Sequence, residues 1–527
     1  MKIKFVKYIA LAAVLTLGAC SSDYLDTEAT DAVNPDKIYK TTEGLKNAVN
    51  GLAKIMVTQH IGSQGFNGEG TIKMYYGEYM GNNFRVDLPG WSNLINGQFY
   101  NDVNSKYGYY PWHYYYMIIS NANVIIDRAD FAEGSEDAKN YYKAQALGYR
   151  AYAYTMLSQL YGQRWKDAQG ADRSLVLRLR ENDPSTMGLS TTKEVLDQVY
   201  KDLDQAIVLF EGMSEKGKST LARKVDENYM IDISVVKAIY ARVALVKQDY
   251  ETAKKYAVEA RAKFPLMSND AYKAGFANPT GEWIWSSYGA SDEQLFFFSY
   301  QAFIAYNSSA SAVRVYPKRI SKELFNQIPS SDIRKGMFLD PAKYDGQYNV
   351  DNGAVILKDG KGQQMDSETR FAWPELKSNA LVAAYMQFKI KANDMPGVGH
   401  TNHFRSAEMY LIEAEAEHFL GNDAKAASLL EELNKQRDAK YSCNATGEAM
   451  FNEIVKYRGI ELFGEGFDWF DMKRWKKDIV RKTGKEGGNY PVDLGVTVKA
   501  TENSNWTWKT PAREVDYRTL GELPKDY

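Results

Sequence analysis

Apolar residues three or four apart mark the first ordered stretch of the chain: in "TEGLKNAVNGLAKIM", Leu45, Val49, Leu52 and Met56 fall on one helical face. Thr41 and Thr42 stand before it as candidate N-caps, because a hydroxyl there can accept an amide that the first turn leaves unpaired. The same period runs through "MIISNANVIIDRAD", "DAKNYYKAQALGYRAYAYTMLSQLYG", where Gly162 is the predicted stop, and "TKEVLDQVYKDLDQAIVLF". These spacings predict a mainly α-helical protein.

Small residues refine that picture. In "ISVVKAIYARVALVKQDYETAKKYAVEARAKFP", Ala241, Ala244, Ala253, Ala257, Ala260 and Pro265 take the spacing of the small and proline positions of a tetratricopeptide repeat. "YLIEAEAEHFLGNDAKAASLLEELNKQRDA" is a looser helix-turn-helix copy with Gly421, Asn422 and Asp423 in the turn. Single pairs cannot bury their faces, so further pairs are expected to stack beside them. Between the copies Gly, Pro, Asn and Ser break the pattern, and "GEWIWSSYG", "QLFFFSYQAF" and "GAVILKDG" read as short strands or loop walls. The expected architecture is one unit over 41–527. Residues 41–60, 117–265 and 401–475 form a tetratricopeptide-like helix-pair scaffold. Residues 61–116 and 266–400 are irregular, loop-rich ligand-binding regions with a few short strands.

Charge narrows the partners. With 65 basic and 67 acidic residues, the chain has no electrostatic pull toward nucleic acid. Its start, residues 1–19, has Lys2, Lys4 and Lys7 before an apolar run from Tyr8 to Leu17 too short to span a bilayer, as an export signal has. Leu17-Gly18-Ala19-Cys20 has the form of a lipobox, so Cys20 is expected to carry acyl chains that hold the protein on a membrane, with the polar segment 20–40 as tether. Cys443 is then the one remaining cysteine, and no internal disulfide is expected.

Aromatic residues make up 13% of the chain, with 38 tyrosines, and they cluster from Phe66 to Tyr116 and from Trp283 to Tyr316. Tyr114 to Tyr116 run into an apolar helix and read as core. Upstream, rings alternate with amides and charges, the combination that holds a neutral polar polymer with apolar faces. Asn82, Asn83, Arg85, Asp87, Trp91, Asn93 and Asn96, with Tyr288 and Tyr306, are therefore the candidate ligand-binding residues. Sugars fit this description and peptides fit it in part. No catalytic motif stands out, although paired carboxylates for glycoside hydrolysis have no fixed sequence spacing. His400 and His403 alone make a weak metal signal, so no metal site and no cofactor is expected, a structural ion such as calcium being left open. Arg405 with Glu408, and Arg458 with Glu461, read as structural ion pairs or caps.

Four stretches together resemble the SusD/RagB family of outer-membrane nutrient-binding lipoproteins: "CSSDYLDTEATD", "PWHYYYMIISNANVIIDRAD", "FRSAEMYLIEAEAE" and "YRGIELFGEGFDWFDMKRW". The third matches through Arg405, Glu408, Leu411, Ala414 and Glu415, and the last through Arg458, Glu461, Leu462, Glu465, Gly466, Asp471, Arg474 and Trp475. The last also departs from the family pattern: Tyr457 replaces an acidic residue, and Gly459 and Asp468 replace arginines, which implies a weakened C-terminal ion-pair network. The resemblance implies a noncatalytic, lipid-anchored protein on the cell-surface face of the outer membrane. Such a protein captures glycan oligomers, or in some members peptides, and passes them to a TonB-dependent transporter.

Overall fold

Thr41 starts the first helix, its hydroxyl accepting the Gly44 amide at 3.2 Å, and α1 (Thr42–Ile55) buries the predicted Leu45, Val49 and Leu52. The structure, a computed structural model, describes residues 38–63, 65–86, 90–290, 299–343, 372–394 and 397–516. Cys20 and its flanks, and all of "GAVILKDG", lie outside the described residues.

Side-chain caps fix most of the long helices. Ser105 caps α2 (Lys106–Arg128), and Ser135 caps α3 (Glu136–Tyr161), which stops at Gly162 as predicted. Thr191 and Glu194 form a reciprocal capping box at the start of α4 (Thr192–Glu211). Asp232 and Asp249 cap α5 (Ile233–Val246) and α6 (Tyr250–Arg261), whose Ala241, Ala244, Ala253, Ala257 and Ala260 are fully buried where the two helices meet. The second predicted pair is α7 (Ser406–Phe419) and α8 (Asp423–Lys435). It packs directly on α6, so the two copies are neighbours in space and form one continuous stack. The helices α9 (Glu448–Glu461) and α10 (Asp468–Trp475) complete the scaffold, α9 packing on α7 and α8.

Strands are short. Among the described residues β1 (Phe84–Arg85), β2 (Arg173–Leu175), β3 (Ser190–Thr191), β4 (Trp283–Ser287), β5 (Arg319–Ile320), β6 (Thr401–Arg405), β7 (Ile479–Val480) and β8 (Thr497–Val498) pair as four two-stranded antiparallel ladders, β1–β5, β2–β3, β4–β6 and β7–β8. β4 is the expected strand of "GEWIWSSYG", and its pairing of Trp283 with Arg405 brings both ends of the insert together. The described part of "QLFFFSYQAF" is different. Ser299 caps a helical turn, Tyr300–Ile304, in place of the expected short strand or loop wall.

Residues 61–116 depart furthest from a loop. Gly68–Thr71 leads into a wholly buried π-helical segment, Ile72–Tyr79, and α2 already begins at Lys106. The cause is a buried carboxylate: Glu69 is fully enclosed and accepts the hydroxyls of Tyr114, Tyr115 and Tyr152 at 3.1, 3.0 and 2.6 Å. The aromatic block "YGYYPWHYYY" is thus mostly interior. Tyr110, Trp112, Tyr114 and Tyr115 are buried, with the Tyr110 hydroxyl donating to the Gly68 carbonyl at 2.7 Å.

An ionic core lies below the helices. Arg405 Nη1 reaches Glu282 and Glu461 at 2.7 Å each, and its Nε reaches Glu465 at 2.8 Å. Lys389 adds a 2.6 Å bond to Glu465, and Arg334 holds Glu461 at 2.8 Å and Asp332 at 2.6 Å. The predicted i,i+3 pairs do not form, because tertiary partners take their place: Arg242 takes Glu408 at 2.7 Å and Asp471 takes Arg458 at 2.7 Å. Substitution at Gly459 and Asp468 has not emptied this network, since its cations come from distant segments. Gly77 and Gly466 let two backbones touch there; a Cβ on Gly77 would lie 2.3 Å from the Gly466 carbonyl oxygen. Among the described residues no helix is long and apolar enough to cross a membrane.

Candidate ligand-binding site

Trp91 stands at the N-cap of the short helix Ser92–Ile95. Its indole is half-buried, with the Tyr75 ring edge-on at 4.5 Å, Tyr79 and Tyr107 at 6.3 Å and Phe303 at 6.4 Å. Tyr75 and Tyr79 are buried and come from the π-helical segment, so a rigid floor holds the indole from behind. Phe99 stacks on Tyr107 at 5.2 Å, and the exposed Lys106 carries its ammonium 5.3 Å from the Phe66 ring centre and 5.6 Å from that of Tyr107. Trp91, Phe99 and Tyr107 are thus half-covered rings beside a cation, while Phe303 joins the second aromatic zone to the first. Burial pushes the Tyr107 hydroxyl pKa up, so it stays protonated and able to donate. Such a patch can stack on the apolar face of a flat or ring-shaped ligand and hydrogen-bond its edges.

The other predicted residues divide. Asn93 is exposed two residues beyond Trp91. Asn96 is tied into the scaffold, its Nδ2 donating to the Asp493 carbonyl at 3.0 Å and its Oδ1 accepting from Arg481 at 2.8 Å. Asn82 accepts the Val480 amide at 2.6 Å, and Asn83 donates through its amide and Nδ2 to Asp468 at 2.6 and 2.9 Å. Both asparagines therefore face a different cavity, against α10. Arg85 is interior, on β1 opposite Arg319, and is not presented at the patch. Tyr306 is buried against Trp373 and Phe388 at 5.6 and 5.4 Å, and Tyr288 meets Tyr229 at 5.6 Å. Asp87 lies outside the described residues. Phe99, Lys106 and Phe303 are the contributors that sequence reasoning did not single out. Tyr107 was visible in the aromatic block, but its separation from the interior rings of that block depends on α2 starting one residue before it.

Comparison with known proteins gives this geometry a context. A family model described as "Starch-binding associating with outer membrane" matches residues 23–226, and a model of the SusD family matches residues 282–518. The SusD-like protein P38 of Formosa agariphila is 23% identical over 522 residues, spanning 90% of this chain and 92% of its own length. A crystal structure of a SusD-like carbohydrate binding protein from Bacteroides vulgatus superposes with a TM-score of 0.73 at 22% identity, covering 92% of this chain and 98% of that one. A SusD superfamily protein from Bacteroides thetaiotaomicron gives 0.70 at 19% identity, covering 90% and 98%. Two family models on successive parts of the chain and the shared fold along nearly its whole length lead to one conclusion: the chain belongs to the SusD/RagB family.

Proposed function

We propose that this protein is a noncatalytic glycan-binding component of a surface uptake system. It is held on the outer membrane through acylated Cys20 and delivers oligosaccharide to a TonB-dependent transporter. The observation that carries the ligand class is the half-buried Trp91, propped by Tyr75, Tyr79, Tyr107 and Phe303 so that part of its ring stays open. A core tryptophan in this chain looks different: Trp283, Trp285 and Trp469 are each at most 1% exposed. The ligand site is proposed to comprise Trp91, Asn93, Phe99, Lys106 and Tyr107, with Asp87 beside them in sequence. Family membership and the likeness to the carbohydrate binding protein of Bacteroides vulgatus support the same ligand class.

Affinity electrophoresis through gels holding plant, host and microbial polysaccharides tests this reading. Retardation by at least one polysaccharide, with no shortening of that polymer on prolonged incubation, is the expected result. Shortening of the polymer would make the protein a hydrolase, and retardation by none of them would favour a peptide ligand.

A further inference from the structure

A cavity of about 350 Å³, lined by none of the patch residues, opens between the Asn82–Asn83 turn, the short helix Lys322–Gln327, α9 and α10. Phe463, Phe467 and Trp475 give it apolar walls, and its volume is at the lower end of small-molecule pockets, roughly 300–1,000 Å³. The ionisable lining is unbalanced: Glu78, Glu323, Asp468 and Asp471 against Lys456 and Arg458. Both cations are engaged, Arg458 with Asp471 at 2.7 Å and Lys456 with Glu453 at 3.4 Å.

Glu78 is the decisive residue. It is 1% exposed; Oε1 accepts the Gly466 and Phe467 amides at 2.5 and 3.3 Å, while among the described residues Oε2 has no hydrogen-bond partner. Leaving a buried carboxylate oxygen without a donor is costly, and water supplies a donor but no compensating charge. Asp468 accepts from Asn83 at 2.6 and 2.9 Å and keeps lone pairs for further donors. Gly459 and Asp468, which stand where the resembled pattern has arginines, both line this cavity.

We infer that the cavity is a second binding site, independent of the aromatic patch, for a small organic cation whose guanidinium or primary ammonium group donates to Glu78 Oε2 and the Asp468 carboxylate. Empty of cation, burial and the charge of Asp468 push the Glu78 carboxyl up to about 8, and burial pushes Asp468 up to about 7. The other charged and titratable neighbours are Lys389, Tyr79 and Tyr300 around Glu78, Asp471, Arg481 and Tyr490 around Asp468, and Glu323, Lys456 and Arg458 on the cavity wall. Binding of a cation therefore expels protons, and affinity rises with pH.

Calorimetric titration of the purified protein with methylguanidinium tests the inference, with neutral methylurea as control and the fluorescence of the protein, which includes Trp475 in the cavity wall, as a second readout. Expected are saturable methylguanidinium binding, at least tenfold weaker methylurea binding, and at least threefold tighter cation binding at pH 8.5 than at pH 6. Glu78→Gln is expected to weaken binding at least tenfold. Gly459→Arg, which carries its own guanidinium into the cavity, is expected to abolish it. If Glu78→Gln fails to fold, Asp468→Asn takes its place with the same expectation. Equal binding of methylurea, no saturable binding, or methylguanidinium binding that survives these substitutions unchanged would overturn the inference.

Discussion

Glu78 and Glu461 are both buried glutamates, yet their neighbours drive them in opposite directions. Burial raises each, but Arg405, Arg437 and Arg334 outweigh it at Glu461 and hold that carboxyl below its ordinary 4.5. Glu78 has backbone amides and a carboxylate nearby instead, and is pushed up to about 8. A carboxyl raised in the fold binds more protons there than in the unfolded chain, so its presence makes stability fall as pH climbs from 4.5 toward 8. Glu78→Gln keeps an oxygen for the Gly466 and Phe467 amides and removes the ionisation. It should leave the melting temperature at pH 5 nearly unchanged and raise it at pH 8.5, by at least about 1 kcal/mol of stability, in thermal melts at the two pH values. At this scale the sequence was only partly legible. Arg405, Glu408, Arg458 and Glu461 were recognisable as structural, but their partners Glu282, Arg242, Asp471 and Arg334 are non-local, and helical i,i+3 spacing cannot reveal contacts made by tertiary packing.

Between elements, the alanine positions decide how closely the helix pairs approach. Ala253, Ala257 and Ala260 of α6 are fully buried between α5 and α7, so a larger side chain has no space without moving a helix. Ala257→Leu should cost about 1–3 kcal/mol in a urea melt while leaving glycan affinity unchanged, since the stack lies away from Trp91. This spacing was readable because small residues recurring at a fixed period are what close packing of paired helices demands. The π-helical segment Ile72–Tyr79 was not readable, since its apolar positions follow neither helix nor strand period and it is set by Glu69, Lys73 and Glu78 finding buried partners. In the same way "QLFFFSYQAF" read as a short strand or loop wall, while the Ser299 cap and the partners of Tyr300 made its described end helical.

For the whole molecule, the helix stack acts as a frame from which the insert and the first aromatic zone are displayed. β4 and β6 clamp the base of the insert through Trp283 and Arg405, and the ionic core around Arg405 locks that clamp to α9. Phe303 then reaches Trp91 from a segment more than two hundred residues away in sequence, a meeting that only the folded chain can show. The two aromatic zones were legible as zones; which rings remain open was not, because openness depends on where α2 starts and on the floor of Tyr75 and Tyr79. The most direct measurement is the dissociation constant of Trp91→Ala for whichever glycan retards the parent protein, taken with its melting temperature. Loss of at least about tenfold in affinity, roughly 1.4 kcal/mol, with a nearly unchanged melting temperature is the predicted result. Unaltered affinity, or affinity and melting temperature falling together, would make Trp91 a packing residue and contradict the proposed site.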